Sequence, residues 1–354
     1  MRRPALVGLA MLLVATAAPS TAATAAGARA RWDTRVLGLV PTPGFPANAY
    51  PAPDGRVYEG TYENPKGSTA ASRVLEYDAA RGTLTRSWTL SGQDLSAAHG
   101  VQVATSDAAG RLVLLDKAPP RVLLLDPATG MQTTYASFPA GAVPNHAAWG
   151  PDGSLYVTDY ENAVLWRVPP HGGTPQPWLR DTRLDGGPFG ATGIALAADH
   201  STLLVAVQSE AGGGAGDPAT GRLWTIPIGH DGSAGPMRQR WESRPLDGPD
   251  AFGLARSGNV YIALLIANQI AVVGPDGAER ERFPPLPLGG ANGSPVPFDN
   301  PSSARFLGTR LMVANQSYVA ADAAHQAILD VETQEPGLPE LIPSSAGPRE
   351  GGTP

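Results

Sequence analysis

PNHAAWGPDGSLYVTDY, residues 144–160, reads as two short strands joined by a tight turn. Gly150-Pro151-Asp152-Gly153 supplies the turn chemistry: Pro presets φ, Asp accepts hydrogen bonds from the turn's own amides, and Gly tolerates positive φ. After the turn, Leu155 and Val157 alternate with other residues, the period of a half-buried strand.

The same plan recurs along the chain. Second strands with their turns are read at 54–62 (DGRVYEGTY), 110–117 (GRLVLLDK), 152–160, 199–208 (DHSTLLVAVQ), 258–265 (GNVYIALL) and 308–316 (GTRLMVANQ). Third strands such as RVLLLDP (121–127) and RLWTIPI (222–228) follow, and polar fourth strands appear five times, LTRSWTL and MRQRWES among them. Four short strands repeating every ~42 to 59 residues are the signature of a β-propeller. The sixth repeat lacks a fourth strand, and a spare one, TRVLGLV (34–40), precedes the first. The expected fold is therefore all-β: a six-bladed propeller over 31–334, four strands per blade, the last blade closed by the N-terminal strand because closure removes exposed edges. Residues 335–354, rich in Pro, Gly and Ser, are expected to form a flexible C-terminal tail.

Composition agrees. The 354 residues include 42 Gly and 36 Pro, which favours turns over long helices. No Cys is present, which excludes disulfides, zinc–thiolate and iron–sulfur sites, a Cys nucleophile and a lipoprotein anchor. A net charge of −6 argues against a nucleic-acid or anionic-membrane partner. No G-x-S-x-G elbow occurs, and Gly212 to Gly214 lack the Lys-Ser/Thr of a phosphate loop. Arg2 and Arg3, an apolar run from Ala5 to Ala18 and then small residues have the order of a secretory signal peptide, placed at 1–25 with Ala28 and Ala30 as further cleavage positions. The run of about 14 residues is short of the ~20 that span a bilayer, so an extracellular protein with no membrane span is expected.

In a propeller the innermost strands start near one channel mouth. Counting back from each turn gives the ring Ala47, His99, Asn145, Thr192, Asp250 and Asn300, with His99 aligned by the Gly and apolar residues after it because blade two has a longer turn. Converging oxygens of this kind suit a hard cation such as calcium, although one carboxylate makes a weak site. The same residues also serve commonly as strand caps or water ligands. Asp116 and Asp159, ending second strands, read as acceptors for turn amides.

PNHAAWGPDGSLYVTDY, GPDAFGLARSGNVYIALL (248–265) and FDNPSSARFLGTRLMVANQSY (298–318) resemble the senescence marker protein, regucalcin and gluconolactonase family, over roughly residues 40 to 332. The resemblance implies a six-bladed propeller in which a blade-one Glu, a blade-four Asn and a blade-five Asp hold a divalent metal, with a blade-three Asn beside it. Asp250 matches the metal Asp and Asn145 the blade-three Asn, and both are taken as metal-site residues; Ala47 and Thr192 stand where the Glu and the other Asn belong. The implied function is metal-dependent hydrolysis of a small cyclic ester at the channel mouth, with a divalent cation, calcium first, as cofactor. Asp250, His99 and His146 are the catalytic candidates, and Asn145, Thr192 and Asn300 would contact the small-molecule substrate. The alternative is a secreted binding propeller without catalysis that has lost part of the metal site.

Overall fold

The computed structural model describes residues 28–63, 69–187, 189–209 and 220–349. The signal segment read at 1–25 and positions 210–219 of the Gly-rich insertion lie outside the described residues. Blade one comprises β2 (Phe45–Pro51), β3 (Arg56–Tyr62), β4 (Arg73–Asp78) and β5 (Thr83–Thr89). Blade two comprises β6 (Val101–Ser106), β7 (Leu112–Lys117), β8 (Pro120–Leu125) and β9 (Gln132–Ser137). Blade three comprises β10 (Pro144–Trp149), β11 (Leu155–Asp159), β12 (Val164–Val168) and β13 (Gln176–Arg180). Blade four comprises β14 (Ala191–Leu196), β15 (Thr202–Val207), β16 (Arg222–Pro227) and β17 (Arg238–Glu242). Blade five comprises β18 (Pro249–Leu254), β19 (Val260–Leu264), β20 (Gln269–Val273) and β21 (Glu279–Phe283). Blade six comprises β22 (Pro301–Leu307), β23 (Arg310–Asn315), β24 (Ala327–Glu332) and, from the far end of the chain, β1 (Thr34–Leu39).

Among the described residues these strands form six four-stranded antiparallel sheets. The inner strands β2, β6, β10, β14, β18 and β22 each pack against the next, and β22 returns to β2, so the ring is closed. Six apolar clusters fill the seams between blades. One joins Val113 and Leu115 of blade two to Trp149 and Trp166 of blade three. Another joins Leu37, Met312 and Ile328 of blade six to Val57, Leu75 and Tyr77 of blade one. The outer strand β5 is mostly exposed, as its polar sequence requires.

Closure by the N-terminal strand is as expected. β1 pairs with β24 from Thr34↔Val331 to Leu39↔Ala327, with a register break beside Gly38. A Cβ at Gly38 would stand 2.7 Å from the Tyr77 ring of blade one, so only glycine lets the closing strand lie this near its neighbour. Arg29 donates to Asp330 (2.6 Å) and to Asp33 (3.0 Å), and Arg310 pairs with the second Asp330 oxygen. Trp32 stacks on Phe283 of blade five, with ring centroids 4.8 Å apart.

The chain end departs from expectation. Residues 335–349, expected as part of a flexible tail, are packed against the propeller. Gly337 bridges to Ala255, Leu338 donates to the Leu254 carbonyl (2.7 Å), and Ala346 is buried in the seam between blades two and three. Pro and Gly here fit a close-lying strap, and apolar Leu338, Ile342 and Ala346 supply its grip.

Asp330 is buried and serves two guanidinium groups. Asp330→Asn removes the shared charge and is expected to lower stability by about 3 kcal/mol, read as a lower urea midpoint with unchanged slope.

Candidate functional site

The inner strands carry an irregularity that positions the site. In β2, β10, β14 and β18 the ladder breaks after the first paired residues: Pro46↔Thr61, Pro144↔Asp159, Ala191↔Val207 and Pro249↔Leu264. Two residues bulge from each break, and the first of each pair is Ala47, Asn145, Thr192 or Asp250. A bulge re-aims side chains at the rim of a sheet. In blade one the bulged amides of Ala47 and Asn48 both donate to Glu59 Oε1 (2.7 and 2.9 Å). In blade three the His146 amide donates to Thr158 Oγ1 (2.9 Å), which donates on to the Thr192 carbonyl (2.7 Å) and ties blade three to blade four.

Register places Asn145 and Asp250 at the same level of the ring, and it corrects two other positions. In blade two Val101 pairs with Asp116, the counterpart of Asp159, so Gln102 rather than His99 is the equivalent of Asn145. His99 precedes the strand, is fully buried, and has Nδ1 3.0 Å from the Ala97 carbonyl and Nε2 2.9 Å from that of Ala70. Its ring nitrogens face loop carbonyls, so His99 ties a loop together and lies outside the ring of inner-strand positions where it was expected. In blade six Pro301 pairs with Asn315, which makes Ser302 the ring residue instead of Asn300. Asn300 is a latch between blades five and six: its Nδ2 donates to the Leu265 carbonyl (3.0 Å) and its Oδ1 accepts from the Val319 amide (2.9 Å). The Thr192 hydroxyl is also committed, to the Ala206 carbonyl (3.3 Å). Asp159 is the turn acceptor expected of it, taking the amides of Val143 and Glu161 on one oxygen.

The remaining residues carry the chemistry. Asn145 is nearly buried, and among the described residues its Oδ1 has no partner. His146 is buried, and desolvation together with the Arg305 charge pushes its pKa down to about 3. Both effects favour the neutral imidazole and weaken His146 as a base. Asp250 is half-buried, and burial raises its carboxyl to about 8, offset only in part by the Ala251 amide. Among the described residues no cation neutralises it.

Sequence reading missed the phenols around Asp250. Tyr62 and Tyr160 occupy one equivalent position, just beyond the residue paired with Pro46 or Pro144. Burial pushes Tyr62 up to about 12 and Tyr160 well above the ordinary phenol value, and both phenols feel the Asp250 charge. Gln102 Nε2 donates to the Tyr62 hydroxyl (3.2 Å), and the Tyr160 hydroxyl donates to Gln208 Oε1 (2.5 Å). Phe45 lies against both Tyr62 and Tyr318, and Phe189 against Tyr160. The signal was present in GTY62, TDY160 and VQ208, which end their second strands at the same register.

Glu59 brings a second buried carboxyl close to the blade-one ring position, with Oε2 unpartnered and a pKa raised to about 8 by burial. Among the described residues no three His, Cys, Asp or Glu cluster as a metal site.

Solved structures share this architecture. A calcium-binding protein, regucalcin, from Agrobacterium tumefaciens is 16% identical, with a TM-score of 0.62 over 87% of this chain and 96% of that one. A gluconolactonase from Xanthomonas campestris is 17% identical, with a TM-score of 0.57 over 86% and 88%. Virginiamycin B lyase from Staphylococcus aureus is 15% identical, with a TM-score of 0.52 over 85% and 99%. The chain shares the six-bladed propeller fold of the regucalcin and the gluconolactonase. No family model matches it, and no curated protein matches it.

The raised Asp250 carboxyl has a signed consequence. The folded protein keeps this proton to about pH 8, whereas the unfolded chain releases it near pH ~4. Stability from this group is complete below the unfolded value and is lost as pH rises through the folded one. In chelator, Asp250→Asn is expected to melt above the wild type at pH 9 and level with it at pH 4, as read by calorimetry.

Proposed function

We propose that this chain is an exported hydrolase of a small cyclic ester, acting at the channel mouth around Asp250. The observations that carry the reading are a carboxyl at the bulged start of β18 with no counter-charge among the described residues, and a phenol that keeps its proton and feels the charge of that carboxyl. A general base works best when its pKa lies near the working pH. The Asp250 carboxylate takes a proton from water as the water attacks the ester carbonyl, and returns it to the ring oxygen as the tetrahedral intermediate collapses and the acyl C–O bond breaks, leaving the open hydroxy acid. The Tyr62 hydroxyl accepts from Gln102 and has its own proton free to donate to the developing oxyanion. The aromatic rim of Phe45, Tyr62 and Tyr318 suits the face of a small ring.

The donors also fit a loosely held divalent cation. Asp250 lacks a cationic partner and Asn145 Oδ1 lacks a donor, so both are open to a hard ion, whereas Ala47 offers no ligand and Thr192 is committed elsewhere. Such an ion would polarise the ester carbonyl. Export rests on the segment at 1–25, and no helix among the described residues is long and apolar enough to cross a membrane. The second reading, a secreted binding propeller without catalysis, is favoured by the position of His99 outside the ring and by the burial of His146.

Purified protein assayed on five- and six-membered lactones, with and without calcium, is expected to hydrolyse at least one. Its kcat/KM should rise with pH toward a plateau above about 8, and Asp250→Asn should lower it about 100-fold or more. No hydrolysis of any lactone under either condition removes the catalytic reading and leaves the binding one.

A further inference from the structure

At the opposite end of the channel from Asp250, the last residues of the inner strands and the strap at 336–342 enclose a cavity of about 380 Å³. That is within the range of small-molecule sites, roughly 300–1,000 Å³. Its walls include Tyr50, Trp149, Ile194, Phe252 and Phe306. One charged side chain is buried among them. Arg305, from β22, is 10% exposed, donates from Nη1 to the Ala104 carbonyl (2.5 Å) and lies over the Tyr50 ring (4.9 Å to the centroid). Burial pushes its pKa down to about 10, so it stays cationic at neutral pH.

Among the described residues no carboxylate of the propeller body pairs with this guanidinium. Its anionic partner is Glu340 of the strap, whose carboxylate pairs with Nη2 and accepts from Thr105 Oγ1 (3.1 Å). Glu340 is 43% exposed, and the strap is anchored on either side of it, at Gly337–Leu338 and at Ile342–Ala346. A buried guanidinium needs an anion with the geometry of a carboxylate. Here that anion stands on the one wall that is not part of a blade.

We propose that the cavity is a binding site for a small apolar carboxylate, whose head group replaces Glu340 on Arg305 and whose hydrocarbon body lies against Tyr50, Trp149 and Phe252. Glu340 is the chain's own occupant of the anion position. The site is independent of Asp250 chemistry: it lies at the other mouth and uses none of the same residues.

The test uses the mature full chain with decanoate as probe and 1-decanol as its neutral counterpart, followed by calorimetry and by the fluorescence of Trp149, which is buried in the cavity wall. Decanoate should bind more tightly than decanol. Glu340→Gln, a change at a partly exposed strap residue, should tighten decanoate about tenfold and leave decanol unchanged. Arg305→Met should abolish the preference for the acid; if that variant does not fold, the Glu340→Gln comparison decides alone. Absence of decanoate binding in both wild type and Glu340→Gln, or equal affinity for acid and alcohol, overturns the proposal and leaves the strap a fixed plug.

Discussion

Each blade has two apolar faces and can hide them only against its neighbours. A four-stranded sheet standing alone would leave both faces in water, and burying apolar area is the main favourable term in folding. The six seam clusters meet that need only if the circle has no gap. The pairing of β1 with β24 is therefore the point on which the architecture depends: it completes the outer edge of blade six and brings Leu37 into the seam with blade one. Arg29, Trp32 and Asp330 hold that joint with charge and stacking.

Closure also makes the site. The inner strands start at one mouth, and the bulges in four of them bring residues from distant parts of the chain to one level. Most polar groups there are consumed by the architecture: the Thr192 hydroxyl on a carbonyl, Glu59 Oε1 on bulged amides, and Asn300 on two loops. What is left over stands out for that reason. Among the described residues Asn145 Oδ1 and Glu59 Oε2 have no partner and Asp250 has only the Ala251 amide, and an unsatisfied buried polar group is costly inside a fold.

The two mouths differ in kind. One presents a carboxyl without a cation, among phenols and amides; the other presents a guanidinium among apolar walls, neutralised by the chain's own terminal strap. His146 feels Arg305 from the starting end of β10, and that field helps keep its imidazole neutral. The Ala70 carbonyl that faces His99 Nε2 and the Arg305 charge that adds to the desolvation of His146 both come from residues remote in sequence.

The alternating strands, the turn glycines and the spare segment at 34–40 were enough to determine a six-bladed propeller and its mode of closure, because strand period and turn chemistry are local properties. Local spacing also located Asn145 and Asp250. It failed for His99 and Asn300, because blade two has a longer turn and the pairing in blade six runs from Pro301; register is decided by the partner strand and not by a count along one chain. The packed course of 335–349 was equally hidden, since its sequence looks like a loose end until the strand ends it grips are assembled. The altered pKa values of His146 and Asp250 likewise belong to tertiary structure alone, because desolvation and the field of Arg305 exist only after residues remote in sequence have closed around them.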